Sequence, residues 1–506
     1  MPRARLDVKL LGLALAPLWL AGCQACGRPA QGDFAEAQLL GLMPAQVARA
    51  LVIPRLGEGL ARLGSLWTAL ADIPGAEALT AILGDVQAQL GADPRSVAGL
   101  ESLGLNPRGA AALFQWPGDG ALVVLLPVRD EGTLTRKLHE LGARLGGSER
   151  RQPDGSFAWV APDGHRLAGA ALRHGVLWLS SSPDAAAAAG ATLAGSADYR
   201  ELRRRAGDAD GFAFLAGDGA NVGHVGCAWR WSERGLHLRA VTSLTPALAV
   251  LTGALRVPSG VPILRPPAPD DAALVVRVGA DPAAWNSLVA ERLRASLAAA
   301  AGEPGLQLSF DLAGQLLPGL VLAVSLSPAP DFSQAPNLDP RLSNPFHWVT
   351  LRALGQVRDG PTAEKMLDRL SLLGRPGELS FAWRIVAGHR VLTSRYGLGE
   401  SVSVALLDRT VVVTGGEGEL ERALQDARRS DPAPADAPLV SIRLDPQRLS
   451  RQVERLPAAA YGGLTGLTLR SIANRLLVPL AHVGLISLDV SSASDALALD
   501  ADLPLR

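Results

Sequence analysis

Along 227–241 the chain reads CAWRWSERGLHLRAV, with apolar and polar side chains alternating on both sides of a polar turn. That period of two predicts a β-hairpin. Near the C-terminus LISLDVSSASDALALDADL (485–503) repeats the pattern, and both runs follow a His-Val-Gly triplet, at His224 and at His482. A third hairpin is predicted in FAWVAPDGHRL (157–167), where Asp-Gly separates two short β-like runs. A two-residue turn there would place Pro162 opposite His165 and Trp159 opposite Ala168.

Elsewhere the period lengthens to that of a helix. Leu134, Leu138, Leu141 and Leu145 recur at helical spacing, as do Met366, Leu367, Leu370 and Leu373. Each set follows an apolar run ending in Val-Arg-Asp, VLLPVRD (124–130) and LGQVRD (354–359), so Asp130 and Asp359 are expected to cap the helices. Strand-like GVLWLSSS (175–182) and RTVVVTGG (409–416) each precede a candidate helix, PDAAAAAGATL and EGELERALQDA. VARALVIPRL leads into the helical GEGLARLGSLWTAL, ALVVRVGADP into AAWNSLVAERLRASLAAAA, and LVSIRLDPQRLSRQVERL repeats the order strand, Asp-Pro, helix.

Matching blocks occur in the same order twice. Arg129 and Arg358 lie 229 residues apart, His165 and His389 lie 224 apart, and His224 and His482 lie 258 apart. Shared order with unequal spacing is what a duplication with variable surface loops produces. The expected fold is α+β: two homologous lobes, each a mostly antiparallel sheet packed with helices. The first lobe is read as 38–256 and the second as 272–506, joined by a Pro-rich linker over 257–271.

The N-terminus obeys a different logic. Arg3, Arg5 and Lys9 form a basic segment, and the apolar LLGLALAPLWL (10–20) that follows is too short to span a bilayer, so 1–22 is expected to be an export signal. Leu20-Ala21-Gly22-Cys23 comes next and resembles the lipobox of bacterial lipoproteins. The resemblance implies cleavage before Cys23, lipid on its sulfur, and a flexible tether over 23–37. It also implies a membrane partner held through that lipid. Gln24 stands where such families often carry an Asp for inner-membrane retention, so the outer membrane is expected, with the body in the periplasm or at the cell surface.

Composition narrows the rest. The 506 residues suit two to four domains, and with 48% hydrophobic and 19% charged side chains the body is expected to be globular. Lys+Arg and Asp+Glu both number 49, a balance that argues against a nucleic-acid partner. Only Lys9, Lys137 and Lys365 are lysines, so arginine is the generic surface cation of this chain. Cys23 and Cys26 form C-x-x-C, but a lipidated Cys23 removes the pair, leaving Cys26 and Cys227 free or joined by a disulfide. The body also resembles an uncharacterised bacterial envelope family of duplicated α+β units. That resemblance rests on LESLGLNPRGAAALF (100–114) and FDLAGQLLPGLVLAVSL (310–326), each leading into a strand and an Arg-Asp-led helix. It implies no activity.

Candidate chemistry centres on a repeated block, SFAWVAPDGHR (156–166) and SFAWRIVAGHR (380–390). Trp159, His165 and Arg166 are matched by Trp383, His389 and Arg390. A catalytic reading would make the histidines bases or ligands and the arginines anion binders. Metal sites need further ligands at recurring spacing, and the eight histidines are scattered, so no metal and no cofactor is expected. The structural reading, packing residues used twice, is preferred. GDGANVG (217–223) is read as a hairpin turn, Asp208-Ala209-Asp210-Gly211 as a turn before a strand, and Arg203, Arg204 and Arg205 as a solvated helix face.

No familiar hydrolase or phosphate-binding motif is present. The leading expectation is a non-catalytic lipoprotein that binds or scaffolds another envelope component. A carrier of lipid or another hydrophobic ligand is the second reading. A hydrolase using His165, His389 and Asp130 or Asp359 between the lobes is the third.

Overall fold

A computed structural model gives the fold. It describes residues 35–504 except 61–83, 86, 95, 118–119, 145–147, 152–155, 161–165, 181–190, 218–222, 233–234, 256–263, 266–271, 283–310, 313, 327–348, 373–378, 397–398, 417, 428–430, 433–436, 455–482 and 493–495. The signal segment, Cys23, Cys26, His165, and the helices read at 57–70, 183–193 and 283–301 therefore lie wholly or mostly outside the described residues. The protein is mixed α/β and built on extensive antiparallel sheet. By compactness the chain divides into two units between Thr245 and Pro246.

The first unit begins with a short helix α1 (Glu36–Leu40) and strand β1 (Arg49–Ile53). Helix α2 (Val97–Ser102) then leads to β2 (Ala111–Gln115), β3 (Leu122–Pro127) and helix α3 (Glu131–Arg144). A meander follows: β4 (Ser148–Arg151), β5 (Phe157–Val160), β6 (Arg166–Arg173) and β7 (Val176–Ser180). Helix α4 (Ala197–Ala206) precedes β8 (Gly211–Leu215), β9 (Val225–Ser232) and β10 (Gly235–Ser243). Strand pairing gives the antiparallel order β4-β5-β6-β7-β3-β2-β1-β8-β9-β10.

Both faces of this sheet are buried, which explains why β1 and β3 are nearly continuous apolar runs rather than alternating ones. On one face Leu134 and Leu138 of α3 and Leu100 of α2 pack with Ile53, Ala111, Val124, Trp159 and Trp229. On the other, Tyr199 of α4 meets Phe212 and Phe214 edge-on, at ring-centroid distances of 5.4 and 5.6 Å. The outer strand β4 reads Ser-Glu-Arg-Arg, and charge of that kind discourages edge-to-edge association.

The second unit contains helix α5 (Pro246–Leu255) and a two-residue strand β11 (Leu264–Arg265), which lies within the expected linker and pairs with β19 (Asp431–Pro432). Its sheet is formed by β12 (Leu274–Val278), β13 (Leu320–Leu326), β14 (Val349–Gln356), β15 (Leu379–Val386), β16 (His389–Tyr396), β17 (Gly399–Leu407), β18 (Thr410–Gly415), β20 (Val440–Leu444), β21 (Ile486–Ser492) and β22 (Ala496–Pro504). Helix α6 (Gly360–Ser371) follows β14, α7 (Glu419–Asp426) follows β18, and α8 (Pro446–Glu454) follows β20. The order is β15-β16-β17-β18-β14-β13-β12-β20-β21-β22, again antiparallel throughout. Strand by strand, this is the order of the first unit.

Local devices recur as well. The Asp130 carboxylate accepts from the Thr133 amide at 3.0 Å, and that of Asp359 accepts from the Thr362 amide at 3.1 Å. The arginine before each aspartate reaches back to an acid, Arg129 to Glu101 and Arg358 to Asp281. Asp445 caps α8 by accepting from the Arg448 amide at 2.9 Å. A buried ion group joins α7 to the sheet, with Arg352 of β14 bonded to Glu419 and, at 3.3 Å, to Asp426.

Candidate functional site

The repeated block does not form one site. Trp159 lies on β5, opposite Ala168, and is 3% exposed within the first unit's core. Its ring rests on Gly142 of α3, where a Cβ would come within 2.0 Å of Nε1. Arg166 opens β6. In the second unit the block falls on β15 and β16, one strand further out in the meander, so the two blocks are alike in sequence and differ in their place in the sheet. Trp383 is half-buried, with the Arg390 guanidinium 4.2 Å from its ring centre. Arg390 also bonds Glu364 at 2.9 Å and Asp368 at 3.2 Å, both on α6. This arginine clamps a hairpin to a helix. His389 pairs with Val386 across a turn in which Ala387 and Gly388 both have positive φ, of 50° and 81°.

Other candidates resolve in the same way. Arg203 bonds Glu36 at 3.2 Å, and Arg204 and Arg205 each bond Glu201 at 2.6 Å. These two bonds hold the Glu201 carboxyl down at about 2. Asp210 accepts from the Trp231 amide, tying the turn before β8 to β9. The segment containing 217–223 joins antiparallel β8 and β9, and His224 at its end accepts from the Gly217 amide at 3.1 Å. Cys227 on β9 is a free thiol, its pKa pushed up by burial.

A site that the motif search did not reach lies on the second unit's sheet, on the face opposite α6. Cross-strand register places Val321, Arg277, Ser441, Asp489 and Asp500 in one row across β13, β12, β20, β21 and β22. The next row on that face holds Ala323, Val275, Arg443, Ser487 and Asp502. Arg277, Ser441, Arg443 and Asp489 line an open cleft of about 90 Å³ at the end of these strands. Two glycines shape it. A Cβ on Gly279 would stand 2.5 Å from the Pro438 carbonyl, and Gly319 has φ 108°.

Within the cleft, Oδ1 of Asp489 is buried and has no hydrogen-bond partner. Asp500 sits directly opposite on β22, where a second carboxylate repels rather than satisfies it. Arg443 is exposed, and among the described residues it makes no ion pair. The cleft thus presents guanidinium groups and a carboxylate in need of a donor, which suits a polar, charged ligand and not an acyl chain.

The first unit uses the corresponding surface differently. There the face opposite α3 carries Phe212, Phe214, Gly226 and Ala228 on β8 and β9, with Tyr199 and Leu202 of α4 packed over them. In the second unit the helix on that face, α7, instead lies over β14 and β18. Sequence reading missed the cleft because its side chains come from positions far apart and each reads as an ordinary polar position in an alternating strand. The chain matches no protein family, no curated protein and no solved structure.

Proposed function

We propose that the protein is a lipid-anchored lipoprotein of the bacterial cell envelope, placed at the outer membrane. Its two units are homologous lobes, and it works by non-catalytic binding. The anchor is the lipid on Cys23, supported by the basic segment, the short apolar run and Leu20-Ala21-Gly22-Cys23. Two or more acyl chains are needed for firm attachment.

The observation that carries the binding reading is the contrast between the lobes. One strand order is used twice, yet only the second lobe's copy of the shared face brings Arg277, Arg443, Ser441 and Asp489 to a cleft. In the first lobe that face is filled by aromatic packing. A buried carboxylate oxygen without a donor is costly to a fold, so Asp489 Oδ1 supports a ligand that donates to it.

Metabolic labelling with a palmitate analogue tests the anchor. The wild type should take up label and sediment with outer membranes, and Cys23→Ala should do neither. An unlabelled wild-type protein would overturn the anchored reading.

A further inference from the structure

We infer that the second-lobe cleft binds a compact zwitterion, a small group carrying an ammonium next to a phosphate or carboxylate, as phosphoethanolamine does. The inference deepens the binding reading above and rests on it.

The charges in the cleft set the ligand class. A simple anion would suit the exposed Arg443 guanidinium but would meet repulsion from Asp489, whose Oδ1 is buried without a hydrogen bond. A simple cation would satisfy Asp489 but face two arginines. Arg443 and Asp489 lie on the same face of adjacent strands, one row apart, and form no ion pair with each other. Side chains so placed stand roughly 7 Å apart at their bases, a span that a ligand with both charges can bridge. An oxyanion against Arg443 and an ammonium against Asp489 answers both groups at once, and Ser441 adds a hydroxyl that can donate or accept.

Size agrees with this assignment. A cleft of about 90 Å³, open on one side, admits a headgroup-sized moiety and leaves the rest of a larger molecule outside it. The same chemistry occurs in a free small molecule and in the headgroup of an envelope lipid.

The test uses the full chain in a non-ionic detergent and isothermal titration calorimetry with phosphoethanolamine, inorganic phosphate and ethanolamine. The zwitterion should bind at least tenfold more tightly than either half. Arg443→Gln should weaken it about tenfold. Asp489→Asn should abolish the preference over inorganic phosphate while leaving phosphate binding intact or improved. Thermal melts of both variants should match the wild type. Competition by phosphatidylethanolamine in mixed micelles would assign the headgroup as the source, and its absence a free small molecule. Equal affinity for phosphate and the zwitterion, or a preference unmoved by Asp489→Asn, would overturn the proposal. Neither result would affect the lipidation result at Cys23, so the two readings fail separately.

Discussion

Gly142 shows how one missing side chain sets a packing arrangement. It lies on α3 beneath Trp159, and a Cβ there would meet Nε1 at 2.0 Å and Cδ1 at 2.3 Å. Because the indole is held in a filled core, Gly142→Ala should destabilise the protein by about 1–3 kcal/mol despite its better helix propensity. Gly132, on the same helix, would meet only Asp130 Oδ1 at 3.5 Å. There Gly→Ala should be neutral or stabilising by up to about 1 kcal/mol. Urea unfolding followed by tryptophan fluorescence checks both, and equal midpoints for the two variants would contradict the argument. Charge acts at the same scale. Glu201 has its carboxyl lowered from 4.5 to about 2 by bonds from Arg204 and Arg205. A depressed carboxyl contributes stability above its unfolded value and loses it as pH falls through the folded one. The contribution is therefore present at neutral pH and vanishes between about 4.5 and 2. Melting temperature against pH should fall less steeply in that window for Glu201→Gln than for the wild type.

Between elements, a buried ion group ties α7 to the sheet of the second unit. Arg352 is 7% exposed and Glu419 2%, so both charges are held away from water, with Asp426 a second partner of Arg352 and the exposed Arg422 a second partner of Glu419 at 3.5 Å. Removing Arg352 leaves the buried Glu419 with only the more distant Arg422, and Arg352→Met should cost about 2–4 kcal/mol. The double replacement Arg352→Met with Glu419→Gln should recover a good part of that loss, a coupling that chemical denaturation of the three variants measures. Elements of this kind were partly legible in the sequence. The hairpins β9–β10 and β21–β22 and the Asp130 and Asp359 caps follow from local pattern, because turn and cap chemistry is local, whereas the pairing of Trp159 with Ala168 is followed by a register shift that puts Val160 opposite Arg166, not opposite Leu167 as a two-residue turn would. The SFAW repeat misleads for the same reason. Short apolar words specify strand, not which strand, and only the pairing partners reveal that β5 and β15 hold different places in the sheet. The cleft was illegible, since Arg277, Arg443 and Asp489 meet only through the register of β12, β20 and β21.

At the scale of the whole chain, the repeated order raises the question of whether each unit is a folding unit. The first unit supplies its own evidence. Its ten-strand sheet is closed on one face by α2 and α3 and on the other by the cluster around Tyr199, Phe212 and Phe214, all from residues before Thr245. A sheet buried on both faces by its own helices has what an independent core requires, and about 210 residues is an ordinary domain length. The fragment 35–245 should therefore express as a folded protein, with near-UV circular dichroism from its buried tryptophans and a single cooperative thermal transition. Trp159, Trp178, Trp229 and Trp231 are each 6% exposed or less, so their asymmetric environment is a sensitive reporter of native packing. Phe114→Ala in the fragment should lower that transition, since its ring is 1% exposed and packs edge-on against Trp178 at 6.4 Å. A fragment with far-UV signal but no near-UV signal and no transition would mean that the first sheet needs the rest of the chain to settle its core. The repeated strand order would then belong to one cooperative body rather than two, and the cleft of the second unit would depend on both.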